Sequence, residues 1–210
     1  MTLLYIHYSL IYKSLMQIEV MIRKAAKKRF SDYGYGKTTM SEIAADVGMS
    51  VGNLYRHFEN KEALLLACVE HAIQSKLDAG IQAAEQCDNA VEALEAFALA
   101  RLHIGHAQFT DTRHLYDLIG IIYERHQDLL LSCENKAIHA LTNIIERGIQ
   151  EGVFTRQNAA QTAYDMYQSM MRYNHPVALK NNPLSLLEED LKRLLQLFYH
   201  GMYKREPHDA

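Results

Sequence analysis

Two places in this sequence hold residue types at spacings that can do chemistry. The first is the run Ser50-Val-Gly-Asn-Leu-Tyr-Arg-His-Phe58. Ser50 is a good N-cap, so a short helix is predicted over Val51 to Phe58, with Leu54 and Phe58 as its inward pair four residues apart. Val51, Gly52, Asn53 and Arg56 then fall on the outer face. Arginine pairs with guanine and asparagine with adenine through two hydrogen bonds each, and a glycine lets another backbone come close. Just upstream, Thr38 and Thr39 open another predicted helix, whose free amides suit a phosphate, and Lys37 adds charge beside them. The chemistry this group supports is recognition of double-stranded DNA, with no bond made or broken.

The second place is His103 and His106 on a predicted helix. Their i,i+3 spacing fits two ligands of one metal ion. No carboxylate or cysteine completes a tight motif, and no Glu-x-x-His pairs arise from two helices. The pair therefore reads as polar lining of a pocket or as histidines satisfied in a core. No metal, no cofactor and no catalytic residue is expected.

The elements that must place these residues are helices. Ten glycines and three prolines in 210 residues leave few turns, and no Asn-Gly or Asp-Gly hairpin signal is present. A first helix is predicted from about Gln17 to Tyr33, with Ile22, Ala26 and Phe30 on one face and Arg23, Lys24, Lys27 and Lys28 elsewhere. The lysines suit flanking phosphate or plain solvation. Gly34 and Gly36 end this helix. Thr39 and Glu42 form a capping box for the second, whose Ile43, Ala44 and Val47 turn inward and which Gly48 stops. Asn60 caps a fourth helix reaching about Ser75. A short helix, a tight turn with glycine and a second short helix are the parts of a helix-turn-helix.

Further helices are predicted over Ala90–Phe109, Thr112–Arg125, Asp128–Glu151, Ala159–Leu179 and Leu184–Tyr203. The last two form a long apolar hairpin able to pair with a second copy of the chain, as a homodimer through about residues 159–179 and 184–203. Tyr164, Tyr167 and Met171, with Tyr116, Ile119 and Tyr123, are large side chains suited to a ligand cavity; with His103 and His106 they are the pocket candidates. The fold class is all-α: an N-terminal three-helix domain over residues 16–61 and a helical ligand-binding and dimerisation domain over 62–210.

Charge follows the same division. Residues 1–61 carry nine Lys and Arg against five Asp and Glu, whereas the whole chain has a net charge of −3. A basic head on an acidic body favours an anionic partner for the head. Cys68, Cys87 and Cys133 are odd in number and lack CxxC spacing, which reads as reduced thiols in a cytoplasmic protein. Residues 1–15 stand apart, because Leu3 to Tyr12 is almost wholly apolar. Ten residues are too short for a membrane span, which needs about 20. The segment is either an extension ahead of an internal start at Met16 or Met21, or an extra packed helix.

The stretch from Gly34 to Leu65, GYGKTTMSEIAADVGMSVGNLYRHFENKEALL, resembles the DNA-binding domain of the tetracycline-repressor (TetR) family. The telling residues are Thr38-Thr39, Ile43-Ala44, Gly48, Ser50, Gly52, Leu54-Tyr55, His57-Phe58 and Lys61 to Leu65. The likeness covers about Ile18 to Glu70; beyond it the chain agrees in helix order and in patches such as Ile149 to Phe154. The resemblance implies that Tyr55, His57 and Lys61 hold backbone phosphates. It also implies a homodimeric regulator, most simply a repressor, that a small molecule releases from a palindromic operator. The competing expectations are an activator, a helical metalloprotein or enzyme using His103 and His106, and a helical adaptor without a ligand.

Overall fold

The computed structural model describes residues 2–110 and 112–202, with side chains from Leu15 onward. Every element in this range is helical, in the order α1 (Thr2–Tyr33), α2 (Met40–Asp46), α3 (Val51–His57), α4 (Lys61–Glu85), α5 (Ala90–Phe109), α6 (Leu115–Arg125), α7 (Gln127–Gln150), α8 (Ala159–Ser169), a 3-10 turn (Met171–Tyr173), α9 (Pro176–Asn181) and α10 (Leu184–Met202). The all-α class is as predicted.

The three largest departures from the predicted boundaries each have a local reason. α1 starts at Thr2 and not near Gln17, since no glycine or proline precedes Gly34 to stop a helix. The apolar residues 3–12 thus belong to this one helix by their backbone; their side chains lie outside the described residues. α4 runs on to Glu85 instead of about Ser75, passing through Gly80, which a helix tolerates. The single helix predicted over Ala159–Leu179 is three pieces. Pro176 cannot donate a helical hydrogen bond and biases His175 out of helical geometry. His175 is accordingly extended and caps α9 through its ring, accepting from Val177 N at 3.3 Å.

The chain divides into two compact units. The first runs to His71 and includes Arg113–Ile121. Its core is the predicted stripe Ile22, Ala26 and Phe30 of α1 together with Ile43 and Ala44 of α2, Leu54 of α3 and Leu64 and Leu65 of α4, all essentially inaccessible. α2 packs on both α1 and α3. Cys68 donates its thiol to the Arg23 carbonyl, and burial pushes that thiol up to about 12. It stays protonated and unreactive at neutral pH.

The second unit is Ala72–Thr112 with the chain from Ile122 on. α5 is its centre, packed against α7, α9 and α10, while α7 packs on α8. Leu94, Phe97 and Leu102 of α5 meet a core that includes Leu141 and Ile145 of α7, Met166 of α8, and Leu187, Leu191, Leu195 and Tyr199 of α10. The Tyr199 hydroxyl, taken into this core, donates to the Val91 carbonyl at 3.2 Å, as buried polar groups ordinarily find hydrogen-bond partners.

Candidate nucleic-acid interface

The turn before α2 is built from the residues predicted to open it. Gly34 adopts φ +86° and closes α1, its amide donating to the Phe30 carbonyl at 3.2 Å. Thr38 is buried, and its hydroxyl donates to the Gly34 carbonyl at 2.9 Å. Its side chain thus supports the turn from inside and leaves the outer surface to Lys37 and Thr39, both exposed. The capping box forms as read: the Glu42 amide donates to Thr39 Oγ1 at 3.3 Å, and the Thr39 amide donates to Glu42 Oε2 at 2.8 Å. The hydrogen bond from the Thr39 amide holds the Glu42 carboxyl below the usual carboxylate range.

Lys61 completes this turn from the first residue of α4. Its ammonium donates to the carbonyls of Tyr35 at 2.7 Å and Thr38 at 2.8 Å, and lies 4.3 Å from the Tyr35 ring centroid. An ammonium has three donors. Two are spent on carbonyls of this turn among the described residues.

Between α2 and α3 the chain reverses at Gly48, φ +69°, with the Met49 amide donating to the Ala44 carbonyl at 3.0 Å. This is the left-handed helix stop expected of a glycine. Ser50 then caps α3, its hydroxyl oxygen accepting from the Asn53 amide at 3.2 Å.

The faces of α3 separate cleanly. Leu54 and Phe58 are in the core. Tyr55 is 49% exposed, and Arg56 and Gly52 are exposed beside it. Val51 and Asn53 are half-buried. A Cβ added at Gly52 would meet no atom within 4 Å, so nothing among the described residues requires glycine there. His57 departs from the outward edge: its side chain is 9% exposed, with Nδ1 3.7 Å from Glu19 Oε1 of α1.

One residue that positions this surface was not legible in the sequence. Arg29 of α1 holds Asp46, the last residue of α2, through two hydrogen bonds of 2.5 and 2.9 Å, and reaches Glu42 at 3.2 Å. The bond to the guanidinium keeps the Asp46 carboxyl below its ordinary range. Both partners are long-range in sequence, so no local pattern announces the pair.

In the second unit the predicted pocket residues scatter. Tyr167 lines a narrow cavity, with Phe97, Arg101, Leu141, Met170, Asn174 and Leu191 among its other walls. Met171 packs on the rim of the core. Tyr164 and Tyr123 are 48% and 44% exposed. Tyr116 and Ile119 fall in the first unit, where Tyr116 is exposed. His103 and His106 go to different partners: His103 Nε2 lies 2.5 Å from Glu188 Oε1, and His106 Nε2 lies 3.1 Å from the Asn182 carbonyl. The i,i+3 spacing does not bring them to a common point. Among the described residues no cluster of three His, Cys, Asp or Glu could hold a metal, and no helix is long and apolar enough to cross a membrane.

The residues the sequence reading missed are Lys76 and Arg101, both buried cations. The signal was present: Arg101 stands in the otherwise apolar run Ala96 to Leu102, and each cation is followed four residues later by a glycine.

Comparison with known proteins agrees with this geometry. Residues 22–68 match the family model for bacterial regulatory proteins of the tetR family, and residues 90–195 match that for a tetracyclin repressor-like C-terminal domain. The uncharacterised HTH-type transcriptional regulator YerO of Bacillus subtilis is 44% identical over 52 residues, a quarter of this chain and 18% of that protein. The HTH-type transcriptional regulator TtgR of Pseudomonas putida is 24% identical over 168 residues, covering 74% of this chain and 79% of TtgR. The crystal structure of a transcriptional regulator from Cytophaga hutchinsonii shares the fold, with a TM-score of 0.72 at 24% identity, over 90% of this chain and 99% of that one. With both halves matched by family models and the helix-turn-helix in place, the chain belongs to the tetR family of DNA-binding transcriptional regulators.

Proposed function

We propose that this chain is a ligand-responsive repressor that binds a palindromic operator as a homodimer and lets go when a small molecule enters its second unit. The observation that carries the DNA-facing part is the outer edge of α3. Tyr55 and Arg56 are exposed there, and a Cβ added at Gly52 would meet no described atom within 4 Å. In this reading Arg56, Asn53, Val51 and the Gly52 backbone meet base edges. Tyr55, Lys37, Thr39 and Lys61 meet phosphates, with Ser50 as the cap that sets the angle of α3. Thr38 and His57 act from behind: Thr38 through the turn, His57 through its approach to α1.

Dimerisation is assigned to α8 and α10 because Tyr164, Leu186 and Leu197 are large apolar side chains exposed on them, Leu197 to 70%. Exposed apolar side chains of this size suit burial against a second copy.

The test is selection of bound duplexes from random sequence, followed by a footprint of the purified protein on the selected site. A protected palindrome with one half-site per subunit is expected. Absence of any enriched sequence overturns the operator reading, and enrichment of an asymmetric single site overturns the dimeric one.

A further inference from the structure

We infer that the effector is a small organic monocarboxylate with an apolar body, its charge held by Arg101 and Lys76. The inference rests on the ligand-responsive reading above and names the chemical class of its ligand.

Both cations belong to the second unit and are almost wholly buried, Arg101 at 5% and Lys76 at 6% exposure. Neither has a carboxylate partner among the described residues. Arg101 donates to the neutral amide oxygen of Asn174 at 3.1 Å, is hydrogen-bonded to the neutral Tyr167 side chain, and lies over the rings of Phe97 at 5.2 Å and Tyr167 at 5.9 Å. The nearest aromatic contact of Lys76 is the Phe109 ring at 6.0 Å. An isolated buried charge is costly, so buried charges are ordinarily paired. Here two like charges are close enough to disfavour one another, and burial with this repulsion pulls the Lys76 ammonium down to about 8. An anion from outside the chain relieves both penalties together.

The helices are shaped to admit the two side chains. Arg101 of α5 crosses Gly80 of α4, where an added Cβ would lie 2.9 Å from Arg101 Cγ. Lys76 of α4 crosses Gly105 of α5, where an added Cβ would lie 3.2 Å from Lys76 Cδ. On each helix the glycine follows that helix's own cation by four residues, one helical turn. The arrangement is reciprocal, and glycine weakens both helices to provide it.

The cavity beside the Arg101 guanidinium sets the rest of the ligand. Its free space is about 10 Å³, room for one water, and its walls are mostly Phe97, Leu141, Tyr167, Met170 and Leu191. An aromatic or medium-chain acid fits walls of this kind, whereas a polyphosphate does not. Met170 and Asn174 lie in the break between α8 and α9. A ligand widens the cavity there by moving an irregular segment and an unbranched side chain, leaving the flanking helices packed.

The experiment uses the full chain. Benzoate, phenylacetate and octanoate are titrated against benzamide, phenylacetamide and octanamide, with the thermal midpoint and calorimetric Kd as readouts. At least one acid is expected to raise the midpoint by several degrees while its amide does not, and Lys76→Met is expected to weaken that acid about thirtyfold or more. Arg101→Met should abolish binding; if that variant does not fold, Lys76→Met and Asn174→Leu decide the matter. Amides binding as well as acids, no acid binding at all, or an acid whose Kd is unchanged in Lys76→Met overturns the inference. The same ligands and a cell extract split by anion exchange are then tested for release of the selected duplex. Release by the neutral fraction alone overturns the carboxylate and keeps the ligand-responsive reading. Acids that bind through Lys76 without releasing DNA keep the site and overturn the repressor-release reading.

Discussion

Lys61 Nζ lies 2.7 Å from the carbonyl oxygen of Tyr35 and 4.3 Å from the centroid of the same residue's ring, so one residue receives the ammonium on its backbone and on its face. With the second bond to Thr38, the ammonium joins the start of α4 to the turn that presents Lys37 and Thr39. A lysine that only met phosphate would have no such partners. Lys61→Met is therefore expected to lower stability by about 1–3 kcal/mol, the scale of charge-assisted hydrogen bonds to a half-buried group. It should also weaken binding to the selected operator and to random duplex by the same factor. Chemical denaturation and fluorescence anisotropy on both duplexes check this. Weaker DNA binding with unchanged stability would show that Lys61 acts on phosphate alone.

The two exposed neighbours on α3 should behave differently from one another. Tyr55→Phe removes only a hydroxyl and is expected to reduce affinity for every sequence alike. Arg56→Gln is expected to change the preferred base at one position per half-site, costing about 1–3 kcal/mol on the original operator and less on a re-selected one. Repeating the duplex selection with each variant reads this directly. If Tyr55→Phe changed the selected sequence, or Arg56→Gln left it unchanged, the division between phosphate and base contacts would be wrong.

What was legible in the sequence was what is decided locally. The capping box at Thr39 and Glu42, the stops at Gly34 and Gly48 and the caps at Ser50 and Asn60 all depend on residues within four of one another, and each forms. The directions of Thr38 and His57 were not legible. Thr38 turns inward because the Gly34 carbonyl needs a donor, and His57 approaches Glu19, far away in sequence. Over 159–179 apolar residues recur at helical spacing, yet Pro176 inside that pattern is itself a boundary signal, and the helix breaks before it. That break matters to the second unit, since it places Asn174 against Arg101. Large side chains alone do not mark a pocket: of the candidates, Tyr116, Tyr123 and Tyr164 are exposed, because the size of a side chain does not say which face of its helix is covered.

Two helical glycines make opposite predictions. At Gly148 an added Cβ would lie 2.2 Å from Phe154 Cδ2 and 2.9 Å from the Ala90 Cβ, and Phe154 is buried. Gly148→Ala therefore overpacks the second unit and is expected to cost about 1–3 kcal/mol. At Gly52 an added Cβ meets no described atom within 4 Å. Gly52→Ala is expected to leave stability equal or higher by up to about 1 kcal/mol, from helix propensity, while weakening operator binding. Urea denaturation of both variants with anisotropy for Gly52→Ala is the check. Unchanged DNA affinity in Gly52→Ala would show that the open side of this glycine is not where DNA approaches.

Lys76 gives the pH dependence a definite sign. Burial, then the neighbouring Arg101 charge, lowers its folded-state pKa to about 8, against about 10.4 for an unfolded lysine. Between these values the unfolded chain binds the proton and the folded chain does not, so folding stability rises with pH across that window. The contribution is fully present above about pH 10 and is lost as pH falls through about 8; its full size is on the order of 3 kcal/mol. At neutral pH the ammonium is charged and has no carboxylate partner among the described residues. Lys76→Met, of similar length and without charge, is therefore expected to be more stable than the native chain at pH 7 and to gain nothing between pH 8 and 10. Denaturation curves at pH 7, 8, 9 and 10 on both proteins test this, since Arg101 and Cys133, the other titratable groups acting on Lys76, remain in the variant. Cys68, whose raised thiol pKa lowers stability over the same range, is common to both proteins and cancels in their difference. A native-minus-variant difference that does not rise from pH 8 to 10, or a Lys76→Met variant that is less stable at pH 7, would show that the ammonium already has a satisfying partner in the fold. A bound carboxylate pulls the Lys76 pKa back up, so at saturating acid the rise in stability should move toward pH 10 and shrink.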